Sequence, residues 1–544
     1  MSIHSPIGSF VQREASVGPG HSWLGSWPFL IVLATLTWAV MQHIAYPALD
    51  RHHDMLENYA WSHIAGWGTH KHPPFFAWVV GAWFQVIPHQ SFFYKLLAYV
   101  NVAVSLWGVV RLAQALKLPQ LARPAVILLL WSLPYTTLAS KFNANSQLLS
   151  LWPWTAVFML RAWQAWGWRK VLYAALLGLA AAACFLSKYY SGVFLLGLFI
   201  ASVFHPEGRA WLKTPWPYLS LLVFVLAMWP HAQWVMAHDM VTLKYMDEQG
   251  DGQIYKQGLV GFALSPLMYW LPAWLVTVFV GGRALCKAHS GASWLGSVSR
   301  WAWQSWMPRA WNDTLFWLAV FPWAMSLGFG ITGYVNLSTA WAIPIGYAFP
   351  LLWLRNFELR MPVSEREGGT PAPSPWSQLD RWFVPSLLGL VFFSCVLAWS
   401  HASRSEVNYY RPTEATATVI LNDWSQRHPD TRLSWVGGDW AESALLSLYG
   451  DDSLTVIPDL PGSKAASFYD TPDLSRQPGL IFCSLGLSAQ RRADSPPGAC
   501  ELDARQWLEK HQMPVQPIYF QVSRSGWRFP KHVAFDYVVF HALP

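Results

Sequence analysis

Charge is scarce in this sequence. Only 12% of its 544 residues are Asp, Glu, Lys or Arg, about half the ~25% of ordinary soluble domains. The deficit lies mostly between residues 23 and 400, which excludes a soluble core for that stretch. Cysteine is also scarce. There are five, none in C-x-x-C spacing, so no zinc-ribbon or thioredoxin-type motif is present. Gly437 and Gly438 follow a predicted strand without completing a dinucleotide-binding fingerprint. No internal repeat is visible, which argues against the doubled halves of many transporters.

Apolar residues are abundant, at 53%, with 37 Trp. Many apolar runs reach the roughly 20 residues that a helix needs to cross a bilayer. Backbone groups find no water in lipid, so long unbroken runs read as spanning helices. Spans are predicted at 23–44 and near 90–116, 124–142, 146–163, 170–187, 190–204, 216–236, 259–281, 313–332, 340–356 and 382–400, about eleven in all. Residues 75–88 form a shorter apolar stretch, expected to lie in the interface. Trp23, Trp107, Trp131, Trp152 and Trp301 sit at run ends, as interfacial anchors do.

The net charge of +7 comes largely from short loops between spans: Arg111, Lys117 and Arg123; Arg161, Arg169 and Lys170; Arg209 and Lys213; Lys287, Arg300 and Arg309. The positive-inside rule assigns these to the cytoplasm. Residues 1–22 are then a cytoplasmic segment, 23–400 a transmembrane domain, and 401–544 an extracytoplasmic domain. Glu365–Pro375 reads as a flexible cytoplasmic linker. Strands at 433–436, 455–457, 480–483, 519–522 and 534–540, with helices at 441–449 and 502–511, make the last region a small α/β domain. A disulfide between Cys483 and Cys500 is expected there. The fold class is mainly α: a polytopic membrane helix bundle carrying a small C-terminal α/β soluble domain.

The densest polar cluster lies in the first outer loop, residues 46–74. Asp50–Pro74 reads DRHHDMLENYAWSHIAGWGTHKHPP, with three acids, two bases and five His. Ionisable groups beside a bilayer are costly to desolvate, so such density points to function. In a helix, Asp54 and Glu57 share one face, which Trp61 continues. His52, His53, His63 and His70 lack strict metal-ligand spacing. A solvated polar loop is the plain alternative.

The segment resembles the first outer loop of the GT-C superfamily of polyprenyl-phosphate-sugar-dependent glycosyltransferases, in the branch of protein O-mannosyltransferases and lipid A aminoarabinose transferases. Asp54, Trp61, Ser62, Gly68, His72, Pro73 and Pro74 fall in that register. Two positions depart. Met55 replaces an acid that often follows the Asp, and Lys71 replaces an acid that often precedes His-Pro-Pro. Lys71 makes a metal in this loop doubtful, so no cofactor is assigned and a divalent cation is left open.

The resemblance implies transfer of a sugar from a polyprenyl-phosphate donor to an envelope acceptor: lipid A, another glycan, a lipid or a protein hydroxyl. It implies Asp54 as general base for an inverting displacement. Lys71, His72 and Lys188 are candidates for the donor phosphate, with Glu57 and Tyr190 as further substrate-binding residues. Lys188, in Ser187-Lys188-Tyr189-Tyr190, reads equally well as a Lys snorkelling beside two anchoring Tyr. Lys141, Asn143 and Asn145 fall at an outer span end, where helix capping by Asn is the first reading and a place facing the cavity the alternative. The loop His238–Lys256, with Asp239, Asp247, Glu248 and Asp251, reads as solvated outer chain, with gating of the acceptor path as the alternative. Tyr334 and Asn336 are minor candidates for contact with donor or acceptor. The implied location is the bacterial inner membrane, with the N-terminus cytoplasmic and the C-terminal domain periplasmic. A non-enzymatic lipid or small-molecule transporter is the competing reading, and an anchored receptor the third.

Overall fold

The computed structural model describes residues 26–50, 53–248, 255–288, 294–360, 374–469, 474–490, 496–525 and 532–544. The N-terminal segment, His52, Asp251 and all but the last two residues of the linker Glu365–Pro375 lie outside them.

The first part of the chain is helical: α1 (Trp27–Ala45), α2 (Asp54–Ile64), α3 (Phe75–Phe84), α4 (Ser91–Ala115), α5 (Ala122–Leu129), α6 (Ala144–Gln164), α7 (Trp168–Ser187), α8 (Ser191–Phe204), α9 (Pro206–Leu212), α10 (Trp216–Ala237), α11 (Val241–Glu248), α12 (Lys256–Ala288), α13 (Trp294–Gln304), α14 (Thr314–Ile331), α15 (Phe349–Glu358) and α16 (Ser377–Ser403). Seven of these are long and apolar enough to cross a membrane, and two sharply bent pairs raise the number to nine. The count falls below the eleven predicted spans for local reasons. The stretch at 124–142 breaks by 84° between 129 and 133, and the stretch from Ser191 breaks by 101° at Pro206, where proline can start a helix but not continue one. At 340–356 two 3-10 turns precede the ten residues of α15. The predicted span near 146–163 is α6, which is long enough at 21 residues but more polar.

Burial sorts the helices. The most apolar window of α4 is 67% buried, whereas those of α10 and α16 are only 22% buried. α4 is the centre of the bundle, and α10 and α16 turn Leu221, Leu226, Leu388 and Phe392 outward, as lipid-facing helices do. α7 and α10 approach closely because Gly178 faces the Ser220 carbonyl, where a Cβ would collide. The four basic loops gather at one end. Lys117, Gln164, His205 and Arg309 share one cavity there.

The C-terminal part continues with α17 (Val407–Tyr410), α18 (Thr413–Arg427), β1 (Trp435–Gly438), α19 (Trp440–Tyr449), β2 (Thr455–Val456), β3 (Gly479–Leu487), α20 (Ala499–Lys510), β4 (Ile518–Ser525) and β5 (His532–Ala542). Each predicted strand and helix of this region has a counterpart, and α17 and α18 are additions. The sheet order is β2-β1-β3-β5-β4, with β2, β1 and β3 parallel and β5 antiparallel to both β3 and β4. Alternate residues face opposite sides. Val436, Leu480, Phe482 and Val539 pack with α18 and α19. Trp435, Ile481, Cys483 and Val538 pack with α20. Cys483 and Cys500 are bonded, tying β3 to α20.

The α19 side of this sheet does not end at water. Its core runs on into Met55, Tyr59, Trp61 and Phe76 of α2 and α3 as one apolar cluster. The α/β unit therefore sits directly on the polar loop that follows α1.

Candidate active site

Asp50 sets the start of α2. Its carboxylate accepts from the backbone N–H groups of Asp54, at 3.0 Å, and Met55, at 2.9 Å, which would otherwise be orphaned at a helix start. Burial pushes the Asp50 carboxyl up, and Lys141 opposes that. Because Asp50 serves the backbone, the Asp54 side chain is spared for other partners.

Lys141 Nζ lies 2.6 Å from Asp54 Oδ2 and 3.7 Å from Asp50. Asn143 donates its amide to Asp54 Oδ2 at 3.0 Å while its own oxygen accepts from the N–H groups of Asn145 and Ser146. The capping role read from the sequence and contact with Asp54 thus belong to the same side chain. Asn145, one turn position on, accepts from Lys188 Nζ at 2.7 Å. The first turn of α6 joins Asp54 to Lys188.

The segment after α2 is held by Thr69, a residue whose signal in the sequence was only its place before His-Lys-His. Thr69 Oγ1 donates to the His72 carbonyl at 2.8 Å and accepts from the N–H groups of Lys71 and His72. Gly68 precedes it, and a Cβ there would run into the Trp234 ring of α10. His231 of α10 donates from Nδ1 to the Trp67 carbonyl at 2.6 Å and accepts at Nε2 from the Tyr189 hydroxyl at 2.6 Å. The Pro73-Pro74 pair then starts α3.

These constraints build a cavity of about 510 Å³ whose wall includes Lys71, His72, Lys188, Tyr190, Tyr245 and Trp341. Tyr334 and Asn336 also line it, so these minor candidates reach the same space. Thr242 and Tyr245 belong to α11. The stretch read as solvated chain after His238 is therefore in part a helix against the cavity, with Tyr245 edge-on to His72 at 5.8 Å. Four of the six predicted site residues meet on this wall. Asp54 and Glu57 stand behind it. Glu57 reaches the cavity through Lys71, at 2.5 Å.

Burial pushes the Glu57 carboxyl up, with Lys71 opposing. It pushes His72 well below the ordinary imidazole range, helped by Lys188 and Lys71. It lowers Lys188 to about 7, against the pull of Asp54. Lys188 is 9% exposed. Its ammonium stands 4.9 Å from the centre of the Trp341 ring, and among the described residues no carboxylate lies within ion-pair distance.

The described His of the loop do not converge, and His52 lies outside the described residues. His53 meets Arg411, and His63 sits by the Tyr59 carbonyl. His70 meets Tyr469. Among the described residues no three His, Cys, Asp or Glu side chains gather as a cation site. The acids of the loop are matched by Lys141 and Lys71 instead.

Residues 71–234 match the family described as dolichyl-phosphate-mannose-protein mannosyltransferase. The architecture is similar to ArnT from Cupriavidus metallidurans bound to undecaprenyl phosphate, at a TM-score of 0.52 and 13% identity, over 95% of this chain and 98% of that one. The likeness to ArnT is one of fold. Among curated proteins, the chain is similar to the lipid A galacturonosyltransferase RgtD of Rhizobium johnstonii, at 24% identity over 272 residues, 47% of this chain and 55% of that one. The chain thus spans about half the length of that curated relative. The family match begins at Lys71, so Asp54 and Glu57 lie upstream of the matched stretch.

Proposed function

We propose that this chain is a membrane glycosyltransferase that moves a sugar from a polyprenyl-phosphate donor to the hydroxyl of an envelope acceptor. The observation that carries the reading is Lys188, a buried cation on a cavity wall with an amide and an indole for company and, among the described residues, no carboxylate within ion-pair distance. A buried charge without a counter-ion is expensive, and a bound anion relieves the cost. A lipid phosphate is such an anion, and Lys71 and His72 share the wall with Lys188. The undecaprenyl phosphate bound to ArnT and the lipid A acceptor in the name of RgtD support the same substrate classes.

In this reading the acceptor oxygen attacks the anomeric carbon as the carbon–oxygen bond to the lipid phosphate breaks. The configuration inverts. Asp54 takes the hydroxyl proton. Lys141 and Asn143 hold its carboxylate, and Asp50 holds the helix start on which it stands. The lipid phosphate leaves as a stable anion, and Lys188 and Lys71 offset its charge. Glu57 keeps Lys71 in place. The basic loops at the opposite end face the cytoplasm under the positive-inside rule. The Cys483–Cys500 bond fits an oxidising compartment for the α/β unit. Together these favour the inner membrane with the site on its outer face.

The test is binding of undecaprenyl phosphate by the purified full chain in lipid nanodiscs, followed by sugar transfer from a polyprenyl-phosphate sugar. Binding that depends on Lys188 supports the reading. No binding by the wild-type chain overturns it, and transport of the lipid without transfer favours the transporter.

A further inference from the structure

Tyr469 belongs to the C-terminal α/β unit, yet its hydroxyl is the meeting point of two residues of the loop that follows α1. It accepts from Trp61 Nε1 at 2.8 Å and lies 2.7 Å from His70 Nδ1. With the indole already donating, the phenol proton is directed at the imidazole, which accepts it in the neutral Nε2–H form. Burial and the nearby Lys71 hold the His70 pKa down to about 4, so the ring is neutral at ordinary pH. Tyr469 is 5% exposed, and its ring stacks on Trp440 at 6.4 Å. Trp440 in turn lies 6.4 Å from Trp61, and Phe468 stacks on His70 at 6.4 Å. Both loop residues are thereby fixed from the α/β side.

What they flank gives the contact meaning. Trp61 ends the face that carries Asp54 and Glu57, and His70 immediately precedes Lys71 and His72 on the cavity wall. Thr69 closes the other side of that short turn. Rotation of His70 would carry Lys71 away from Glu57, because the two positions are adjacent in the chain.

We propose that Tyr469 is a positioning residue of the α/β unit that holds the Lys71–His72 wall in its anion-binding geometry through hydrogen bonds to Trp61 and His70. The inference rests on the donor-phosphate reading above. It makes the α/β unit part of the site's working geometry, with no contact between Tyr469 and the ligand.

The experiment measures undecaprenyl phosphate binding by the full chain in nanodiscs, with the thermal midpoint read on the same samples. Tyr469→Phe keeps the ring and removes only the hydroxyl. It is expected to weaken binding by about five- to tenfold, the scale of one or two neutral hydrogen bonds. The midpoint should fall by only a few degrees. His70→Ala should weaken binding similarly. The double variant should be little worse than either, as coupled partners behave. Unchanged binding in Tyr469→Phe, or losses that multiply in the double variant, would overturn the proposal while leaving the donor reading intact. A Tyr469→Phe chain that binds normally per folded molecule but unfolds far earlier would also overturn it, by making the contact structural alone. Absence of binding by the wild-type chain would instead sink the donor reading, and this proposal with it.

Discussion

Lys188 and Arg355 are both cations buried in the same helix bundle, 9% and 5% exposed. They sit toward opposite ends of α14, whose 18 residues span about 27 Å. Arg355 forms a two-pronged pair with Asp313, at 2.6 and 2.7 Å, and also reaches Asn356. Asn356 in turn donates to the carbonyls of Ser305 and Met307. Asp313 accepts from the N–H of Phe316 at the start of α14. Every prong at that end has a protein partner. Lys188 has one amide oxygen and the face of an indole. A buried charge with its full set of partners holds structure together. One with a partial set, on a cavity wall, is arranged for something that arrives.

Substitutions can break this contrast. The largest effect is expected for Asp54→Asn at the Lys188 end. Sugar transfer should fall by about 100- to 10,000-fold, the usual range for a general base, with the thermal midpoint nearly unchanged. Normal turnover would remove Asp54 from the chemistry. Arg355→Ala at the other end should do the reverse. It strands the Asp313 carboxylate and should cost about 3–5 kcal/mol of stability, read by denaturant unfolding in detergent. Replacing both partners, Arg355→Met with Asp313→Leu, should recover most of that loss. A fall in donor binding per folded molecule would show that the two ends are not separable.

Lys188→Gln should weaken undecaprenyl phosphate binding by about 10- to 100-fold, the scale of a charge-assisted contact. Stability should hold or rise, because the variant removes a charge that the fold leaves uncompensated. A drop in stability like that of Arg355→Ala would erase the contrast.

The smallest effect is a pH dependence. Burial holds His70 and His541 down to about 4. His541 packs with His428 at 2.9 Å and lies 3.6 Å from Asp423. Both His are neutral when folded, and their ordinary value is 6.5. Between these limits the unfolded chain binds more protons. Their contribution is complete above pH 6.5 and is lost as the pH falls toward 4. The thermal midpoint should decline through that window, and His541→Gln should flatten the decline.

Local patterns carried much of this structure into the sequence. The α/β elements were legible because alternation and turn residues mark strands within a few positions, as at 480–483 and 534–540. The candidate loop was legible because dense charge beside apolar runs stands out. The span count was less so: apolar runs report composition, and a bend before Leu133 divides one of them while another ends after 14 residues at the bend before Pro206. Lys141 was undervalued because Asp54 lies far from it in the chain, and nothing local signals the pair. Tyr469 carried no signal, for its partners Trp61 and His70 come from the other end of the protein.

Composition by itself determined that the chain crosses a membrane, since apolar runs of that length satisfy their backbone in lipid as helices. It also determined that a polar loop and an α/β unit flank the bundle. Only the tertiary structure decided that Lys188, Lys71 and His72 face one cavity, that Arg355 is neutralised, and that Tyr469 grips the loop. The reason is that the cost of a buried charge depends on what surrounds it in space, and those surroundings come from residues tens to hundreds of positions away.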